Sequence, residues 1–140
     1  LHRIQMASFR ALLDKYQDHR TNPGAESYER ILERFGEDTT DYYLIRLNEQ
    51  NIGMIRVCDF GAVCRISPTC ILPEYQGHGY AQQAIVLVES LYPMAEKWTL
   101  DTIRQEQKLC YLYEKLGYLP TGKLETIQPG MDIVFYEKNV

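Results

Sequence analysis

The most informative segment of the chain is a turn with two glycines, Gln76-Gly77-His78-Gly79, between an apolar strand-like run and an amphipathic helix. The first amide N–H groups of a helix have no partner inside it, and together with the helix dipole they attract anions. Because Gly77 and Gly79 lack a Cβ atom, an anionic group can approach these amides closely. The sequence therefore predicts a turn that holds a phosphate or a pyrophosphate group.

Three phosphate-binding motifs compete for this turn. A Walker loop ends in Gly-Lys followed by Ser or Thr, and the absence of that tripeptide argues against nucleoside triphosphate hydrolysis. A dinucleotide-binding motif needs Gly or Ala where Gln82 stands, although Asp101 lies near the distance expected for a ribose contact. The third pattern, Gln/Arg-x-x-Gly-x-Gly/Ala, fits at every fixed position from Gln76 to Ala81. A dinucleotide-binding fragment is therefore disfavoured but stays open.

Hydrophobic periodicity predicts the elements that position this turn. Apolar residues at helical spacing predict two amphipathic helices within residues 9–16 and 28–35, followed by strands over 41–47, 52–58 and 62–72. A helix over 81–91, a strand over 98–103, a helix over 108–116 and a hairpin of 119–127 with 131–137 complete the chain. Pro68 cannot donate to a ladder, so we expect a bulge or an edge there, and a bulge would splay this strand from its next neighbour. The order predicts an α/β fold, a mixed sheet with helices on both faces.

Composition restricts the class of protein. The 140 residues, 45% apolar and 24% charged, predict one globular domain over residues 1–140. No apolar run approaches the roughly 20 residues that cross a bilayer, no signal-peptide pattern opens the chain, and the missing initial methionine indicates that upstream residues are absent. The net charge of −4 disfavours nucleic acid and anionic membranes as partners. Four cysteines without C-x2-C spacing predict buried free thiols in a cytoplasmic protein and no metal site.

Two segments resemble a known family. The turn from Gln76 to Ala81 is similar to motif A of the GNAT superfamily of acetyl-CoA-dependent N-acetyltransferases, and Leu112-Tyr113-Glu114-Lys115-Leu116-Gly117-Tyr118 is similar to its motif B. One strand separates the two motifs, as in the family, and the likeness to the small bacterial members covers roughly residues 41–137. The family's usual first strand is not visible before Ser8, which indicates a trimmed or atypical N-terminus.

The resemblance implies how acetyl-CoA would bind. The sheet would be mostly antiparallel, and its fourth and fifth family strands would part like a V to admit the pantetheine arm. Backbone groups at Ile71 and Leu72 would hold this arm and polarise the thioester carbonyl, and the amides from Gly77 to Gln82 would hold the pyrophosphate. His78 is either an exposed loop residue or an auxiliary phosphate contact, and Gln76 orients the turn. The expected cofactor-binding set is Ile71, Leu72, Gln76, Gly77, His78, Gly79, Tyr80, Ala81 and Gln82.

The resemblance also implies direct attack of a primary amine on the thioester, with no metal. Tyr113 matches the family tyrosine that donates a proton or a hydrogen bond to the leaving sulfur. Because an ordinary tyrosine pKa near 10 exceeds a thiol pKa near 8.5, a hydrogen bond to the developing thiolate is the safer role. The alternative is that Tyr113 only packs in the core with neighbouring leucines.

The general base is poorly determined by the sequence. Many family members carry a carboxylate on the fourth strand, and residues 63–70 contain none. Asp101 and Glu106 are the candidates near the opening between strands. The alternative for Asp101 is a structural acid at the end of a strand, and the alternative for Glu106 is a solvated residue in the first turn of a helix. A water-relayed proton path is equally open. Glu106 stands where the family often has an asparagine that contacts the cofactor, so a carboxylate there could face an amine substrate.

The leading interpretation is an N-acetyltransferase acting on a primary amine, in a small molecule or a peptide. A catalytically silent acyl-CoA-binding module is the alternative, favoured by the missing strand carboxylate and by Glu106 in place of asparagine. The acidic overall charge favours a cationic small molecule as acceptor. Arg46, Arg56 and Arg65 are expected to be surface charges, and a homodimer is an option because family members often dimerise.

Overall fold

A computed structural model of the chain describes residues 1–140. The helices are α1 (His2–Tyr16), α2 (Tyr28–Phe35), α3 (Tyr80–Glu89) and α4 (Gln107–Lys115), with short 3-10 turns at Pro23–Ala25 and Pro73–Tyr75. The strands are β1 (Thr40–Leu47), β2 (Gln50–Asp59), β3 (Val63–Ile71), β4 (Lys97–Ile103), β5 (Leu119–Gln128) and β6 (Met131–Asn139). This order of elements confirms the sequence prediction, which missed only the two 3-10 turns. No helix has the length and apolar character needed to cross a bilayer.

The six strands form one mixed sheet in the order β1-β2-β3-β4-β6-β5. Every neighbouring pair is antiparallel except β3 and β4, which run parallel. The β1–β2 hairpin turns through Asn48 and Glu49, both at positive φ, the conformation whose twist matches that of the flanking strands. The predicted mixed, mostly antiparallel sheet with flanking helices is therefore confirmed.

The parallel contact between β3 and β4 is short. Only Val63, Cys64 and Arg65 pair with β4, opposite residues 97–99, and the two strands then separate. We call the gap between residues 66–71 of β3 and residues 100–103 of β4 the strand split. Its cause lies on the other edge of β3: Ser67 and Pro68 together oppose Arg56 of β2, which inserts one extra residue into β3. An extra residue bends a strand, so the predicted bulge and the predicted splay are both present.

The sheet has two differently covered faces. On one face, α3 and α4 pack over a core in which Ile55, Ile85, Trp98 and Tyr118 are almost fully buried. On the other face, α1 and α2 cover β1, β2 and β3, and the Phe35 ring stacks on a β1 tyrosine with centroids 4.5 Å apart. We call these the α3–α4 face and the α1–α2 face. The β4–β6–β5 part of the α1–α2 face carries an open groove of about 280 Å³.

The close packing of β2 on β3 depends on Gly53. A Cβ atom at this position would collide with the carbonyl oxygen of Cys70 and lie 2.9 Å from the Cδ1 atom of Ile71. Glycine is thus required by space, and it fixes the position of the last residues of β3. All four cysteines are free; Cys58, Cys64 and Cys70 are buried as expected, and Cys110 is partly exposed.

Candidate active site

The turn that follows β3 has the conformation of an open anion-binding loop. Gly77 and Gly79 both have φ of +80°, a region that residues with a side chain rarely adopt, and a Cβ atom at either position would meet nothing within 4 Å. Gly79 is the N-cap of α3 and supplies no side-chain cap. The first amides of α3 are therefore free of a side-chain partner and face open space.

The residues around this turn hold it in place rather than neutralise an anion. Gln76 donates from Nε2 to the carbonyl oxygen of Ile71 at 2.9 Å, which ties the turn to the end of β3 as expected. His78 is exposed, and its ring lies 5.7 Å from that of Tyr80. No lysine or arginine occurs between Arg65 and Lys97 in the sequence. Attraction for an anion in this segment therefore depends on backbone amides and the helix dipole. Tyr80, Ala81 and Gln82, all half-buried, form the first turn of α3.

Of the two backbone positions expected to hold the pantetheine arm, only Ile71 has peptide groups that face the strand split. The Leu72 amide donates to the carbonyl oxygen of Ile52 at 2.7 Å, and the Leu72 carbonyl accepts from the Tyr75 amide at 2.9 Å. Contrary to expectation, the Leu72 N–H is therefore not available to a ligand, and its carbonyl already accepts one hydrogen bond. Successive peptide groups of a strand point to opposite sides, so those of Ile71 face the strand split, where Gln76 reaches the carbonyl oxygen. The Ile71 N–H is the donor on that side.

Tyr113 projects from α4 into the core of the α3–α4 face, with only 7% of its surface exposed. Burial raises the pKa of its hydroxyl, with smaller contributions from the charges of Asp101, Cys70 and Cys110, and no hydrogen bond contributes. Ile66 of β3 and Leu100 of β4, which lie on either side of the strand split, belong to the same buried cluster as Tyr113. A raised pKa keeps this hydroxyl protonated, as a neutral hydrogen-bond donor, through the physiological pH range. The core packing expected as the alternative is present as well, and it leaves the hydroxyl without an internal partner.

The two candidate acids are both engaged. Asp101 lies on the α1–α2 face just beyond the last β3–β4 pair, and its Oδ2 accepts from Arg65 Nη2 at 2.7 Å. Glu106, at the start of α4, accepts from the Lys15 ammonium and the Tyr16 hydroxyl, both at 2.6 Å. Burial alone would raise the pKa of Glu106, but these hydrogen bonds outweigh it and lower the pKa. Glu106 therefore joins α1 to α4 and is a weak proton acceptor.

Sequence reasoning missed the position of Arg56. Expected as a surface charge, this residue is 9% exposed and lies on the α1–α2 face, and its Nε donates to the Ser67 carbonyl at 2.5 Å in the bulge of β3. Burial lowers the pKa of its guanidinium. A signal was present in the sequence, because Arg56 stands in the middle of the apolar run Ile52–Cys58. Charged residues are seldom buried without a partner, so this position is a candidate for ligand contact.

Comparisons with known proteins agree with this arrangement. The model of the acetyltransferase (GNAT) family matches residues 6–118. A GNAT family acetyltransferase from Elizabethkingia anophelis with acetyl-CoA bound superposes with a TM-score of 0.65 at 17% identity, covering 81% of this chain and 84% of that chain. A chimera of the spermidine N-acetyltransferase from Vibrio cholerae and hSSAT superposes with a TM-score of 0.71 at 19% identity, covering 94% of this chain and 88% of that chain. No curated protein sequence matches the chain significantly.

At such identities the solved structures establish a shared fold, including the layout of a mixed sheet with flanking helices. The family model adds the sequence itself, since its match includes both the glycine turn and the Tyr113 segment. Because that match spans most of the chain, the protein belongs to the GNAT acetyltransferase family.

Proposed function

We propose that this protein transfers the acetyl group of acetyl-CoA to a primary amine by direct attack of the amine on the thioester. The observation that carries this proposal is the strand split, which opens after three residue pairs and lies beside the uncapped N-terminus of α3. A crevice lined by main-chain groups and ending at an anion-binding turn fits a pantetheine arm with its pyrophosphate. Acetyl-CoA bound in the relative from Elizabethkingia anophelis supports the same cosubstrate.

The backbone supplies the binding groups in this proposal. The amides from Gly77 to Gln82 hold the pyrophosphate, with each charge at a helix N-terminus stabilised by about 0.3–1 kcal/mol when exposed. The Ile71 N–H donates to the thioester carbonyl oxygen, and a donor aimed at this developing charge contributes on the order of 3 kcal/mol to catalysis. Gln76 keeps the end of β3 and the turn in register through its bond to Ile71.

The Tyr113 hydroxyl serves the leaving group. Tyr113 packs with Ile66 and Leu100 beside the strand split, and its hydroxyl, which has no internal partner, donates a hydrogen bond to the sulfur as the carbon–sulfur bond breaks. Full proton transfer is uphill, since even an ordinary tyrosine is weaker than a thiol as an acid by about 1.5 pKa units, near 2 kcal/mol. Burial of Tyr113 widens this difference, so the role is stabilisation of the thiolate.

The amine must lose a proton before or during attack. A lysine-like amine with a pKa of about 10.4 is neutral in only about one molecule in 2,500 at pH 7, which costs about 4.6 kcal/mol. Asp101 is placed to accept this proton through water, because it lies at the closed end of the strand split on the α1–α2 face. Glu106 is a poorer choice because the hydrogen bonds from Lys15 and Tyr16 lower its pKa.

A catalytically silent acyl-CoA-binding module is the second candidate function. Both acids near the strand split accept a bond from a cation, Asp101 from Arg65 and Glu106 from Lys15. If neither acid can take a proton, the protein would bind acetyl-CoA without turnover.

Calorimetry with acetyl-CoA, followed by thiol release across a panel of primary amines, tests the proposal. We expect binding, and release above the hydrolysis background with at least one amine. Binding without release on any amine would favour the silent module. An absence of binding at millimolar acetyl-CoA refutes both, and binding of NAD in its place would indicate a dinucleotide-binding protein.

A further inference from the structure

We infer that the amine accepted by this protein also carries a carboxylate, and that Arg56 binds this carboxylate. The inference rests on the proposed acetyl transfer and names its substrate class: an amino acid or a short peptide with a free carboxylate, rather than a polyamine. It reverses the expectation from overall charge, which favoured a cationic acceptor.

Arg56 is a buried cation without a carboxylate. None of the ion pairs of the chain includes it, and its single side-chain bond runs from Nε to the neutral carbonyl of Ser67. Fully enclosed polar side-chain atoms that lack a partner occur only at Gln5, Ser8, Tyr42 and Thr69. The two terminal nitrogens of Arg56 form no hydrogen bond and are not among these fully enclosed atoms. A buried charge left unpaired is strongly destabilising, and an anionic ligand would supply Arg56 with the missing partner.

The position of Arg56 places this anion beside the reaction. Arg56 lies opposite the Ser67-Pro68 bulge, from which β3 bends away to open the strand split. Tyr42 is its direct partner on β1, and the Tyr42 hydroxyl is buried without a hydrogen-bond partner. The guanidinium of Arg56 thus lies on the α1–α2 face beside the bulge at which the split begins, and a guanidinium suits a carboxylate.

The other charges of this face also favour an anion. Three other cations on this side of the sheet have carboxylate partners: Lys15 pairs with Glu106, Arg34 with Glu26, and Arg65 with Asp101. Lys123, whose ammonium lies 4.5 Å from the centroid of the Phe135 ring in the open groove, forms no ion pair. Arg56 and Lys123 are therefore two cations of this face that no carboxylate pairs with. A polyamine entering here would meet repulsion, whereas a zwitterion could place its amine toward Asp101 and its carboxylate on Arg56.

Matched acceptors test the inference. The probes are phenylalanine with phenethylamine, lysine with cadaverine, and glycylglycine with its C-terminal amide, together with spermidine. We expect kcat/KM from thiol release to favour the acid by at least tenfold in one or more pairs. Arg56→Met should abolish this preference and leave the KM for acetyl-CoA unchanged, whereas Arg46→Met, at an exposed arginine on β1, should retain it. Because Arg56 is buried, Arg56→Lys and thermal melts separate loss of recognition from loss of folding.

Which result would overturn the inference depends on whether any amine reacts. If the decarboxylated member of every pair reacts as well as the acid, the carboxylate has no role, although acetyl transfer to amines stands. If no amine reacts while acetyl-CoA binds, the proposed function fails. Binding of the same acids to protein saturated with coenzyme A is then measured by calorimetry. Acid binding that depends on Arg56 would still support the subsite; no acid binding, or acid binding unchanged in Arg56→Met, would refute it.

Discussion

Replacing Tyr113 by phenylalanine removes one hydroxyl and leaves the core almost unchanged. The Tyr113 ring is buried, and its hydroxyl has no hydrogen bond to another residue that would be left unsatisfied. The change in the free energy of unfolding should therefore stay within about 0.5 kcal/mol. Any loss of activity would then report on the reaction rather than on folding.

The magnitude follows from the bond that Tyr113 is proposed to make. A hydrogen bond to a charged group contributes about 1.5–3 kcal/mol, which corresponds to a decrease of roughly 10- to 150-fold in kcat. The thiolate charge develops only as the carbon–sulfur bond breaks, so the affinity for acetyl-CoA should be unaffected.

The assay is thiol release under saturating acetyl-CoA, with calorimetry for the affinity. Tyr111→Phe is the matched control, because Tyr111 lies on the same helix two residues away and is 68% exposed. We expect Tyr111→Phe to retain wild-type kcat. Equal rates for Tyr113→Phe and Tyr111→Phe would remove Tyr113 from the mechanism and leave it as a core residue only.

Three further variants test the turn, the α1–α4 contact and the sheet. Gly79→Ala should weaken acetyl-CoA binding at least tenfold by calorimetry. Gly122→Ala, at a similar positive φ in β5, should lose as much stability as Gly79→Ala but keep the wild-type affinity for acetyl-CoA. Equal affinities of the two variants would contradict the role of the turn. Glu106→Gln should lower the free energy of unfolding at pH 7. Because the folded-state pKa of Glu106 is lowered, the difference from wild type should vanish as the pH falls from 4.5 through the folded-state pKa. Denaturant unfolding at pH 7 and pH 3 measures this difference, and a difference at pH 3 as large as at pH 7 would contradict the prediction. Gly53→Ala should cost about 1–3 kcal/mol in thermal melts through overpacking, against a small change for Gly36→Ala, whose φ is negative; equal shifts in the two variants would argue against the steric reason.

Most of the fold was predictable because its signals are local. Apolar spacing located the helices, and turn residues located the β1–β2 and β5–β6 hairpins. Pro68 even predicted the bulge, since a residue that cannot donate must interrupt a ladder. The two 3-10 turns were missed because segments of three residues are too short to show a period.

The candidate site divides along the same line. The glycine turn could be found from residue types alone, because glycine is the residue that most readily adopts the positive φ seen at Gly77 and Gly79. Burial of Arg56 and the occupied backbone of Leu72 could not, since both depend on which strands and helices become neighbours. The partners of Glu106 lie about ninety residues away in the chain, beyond the reach of any local pattern.

The short parallel contact between β3 and β4 leaves the sheet incomplete at its centre. In the proposed complex, the amides of the pantetheine arm occupy this gap as a neighbouring strand would. Binding of acetyl-CoA is therefore coupled to folding, because only the folded protein has the gap. A ligand present at a hundred times its Kd adds about 2.7 kcal/mol to the free energy of unfolding. In cells depleted of acetyl-CoA, a larger fraction of this protein would then be unfolded. Proteolysis of the unfolded fraction would make the abundance of the protein depend on the concentration of acetyl-CoA.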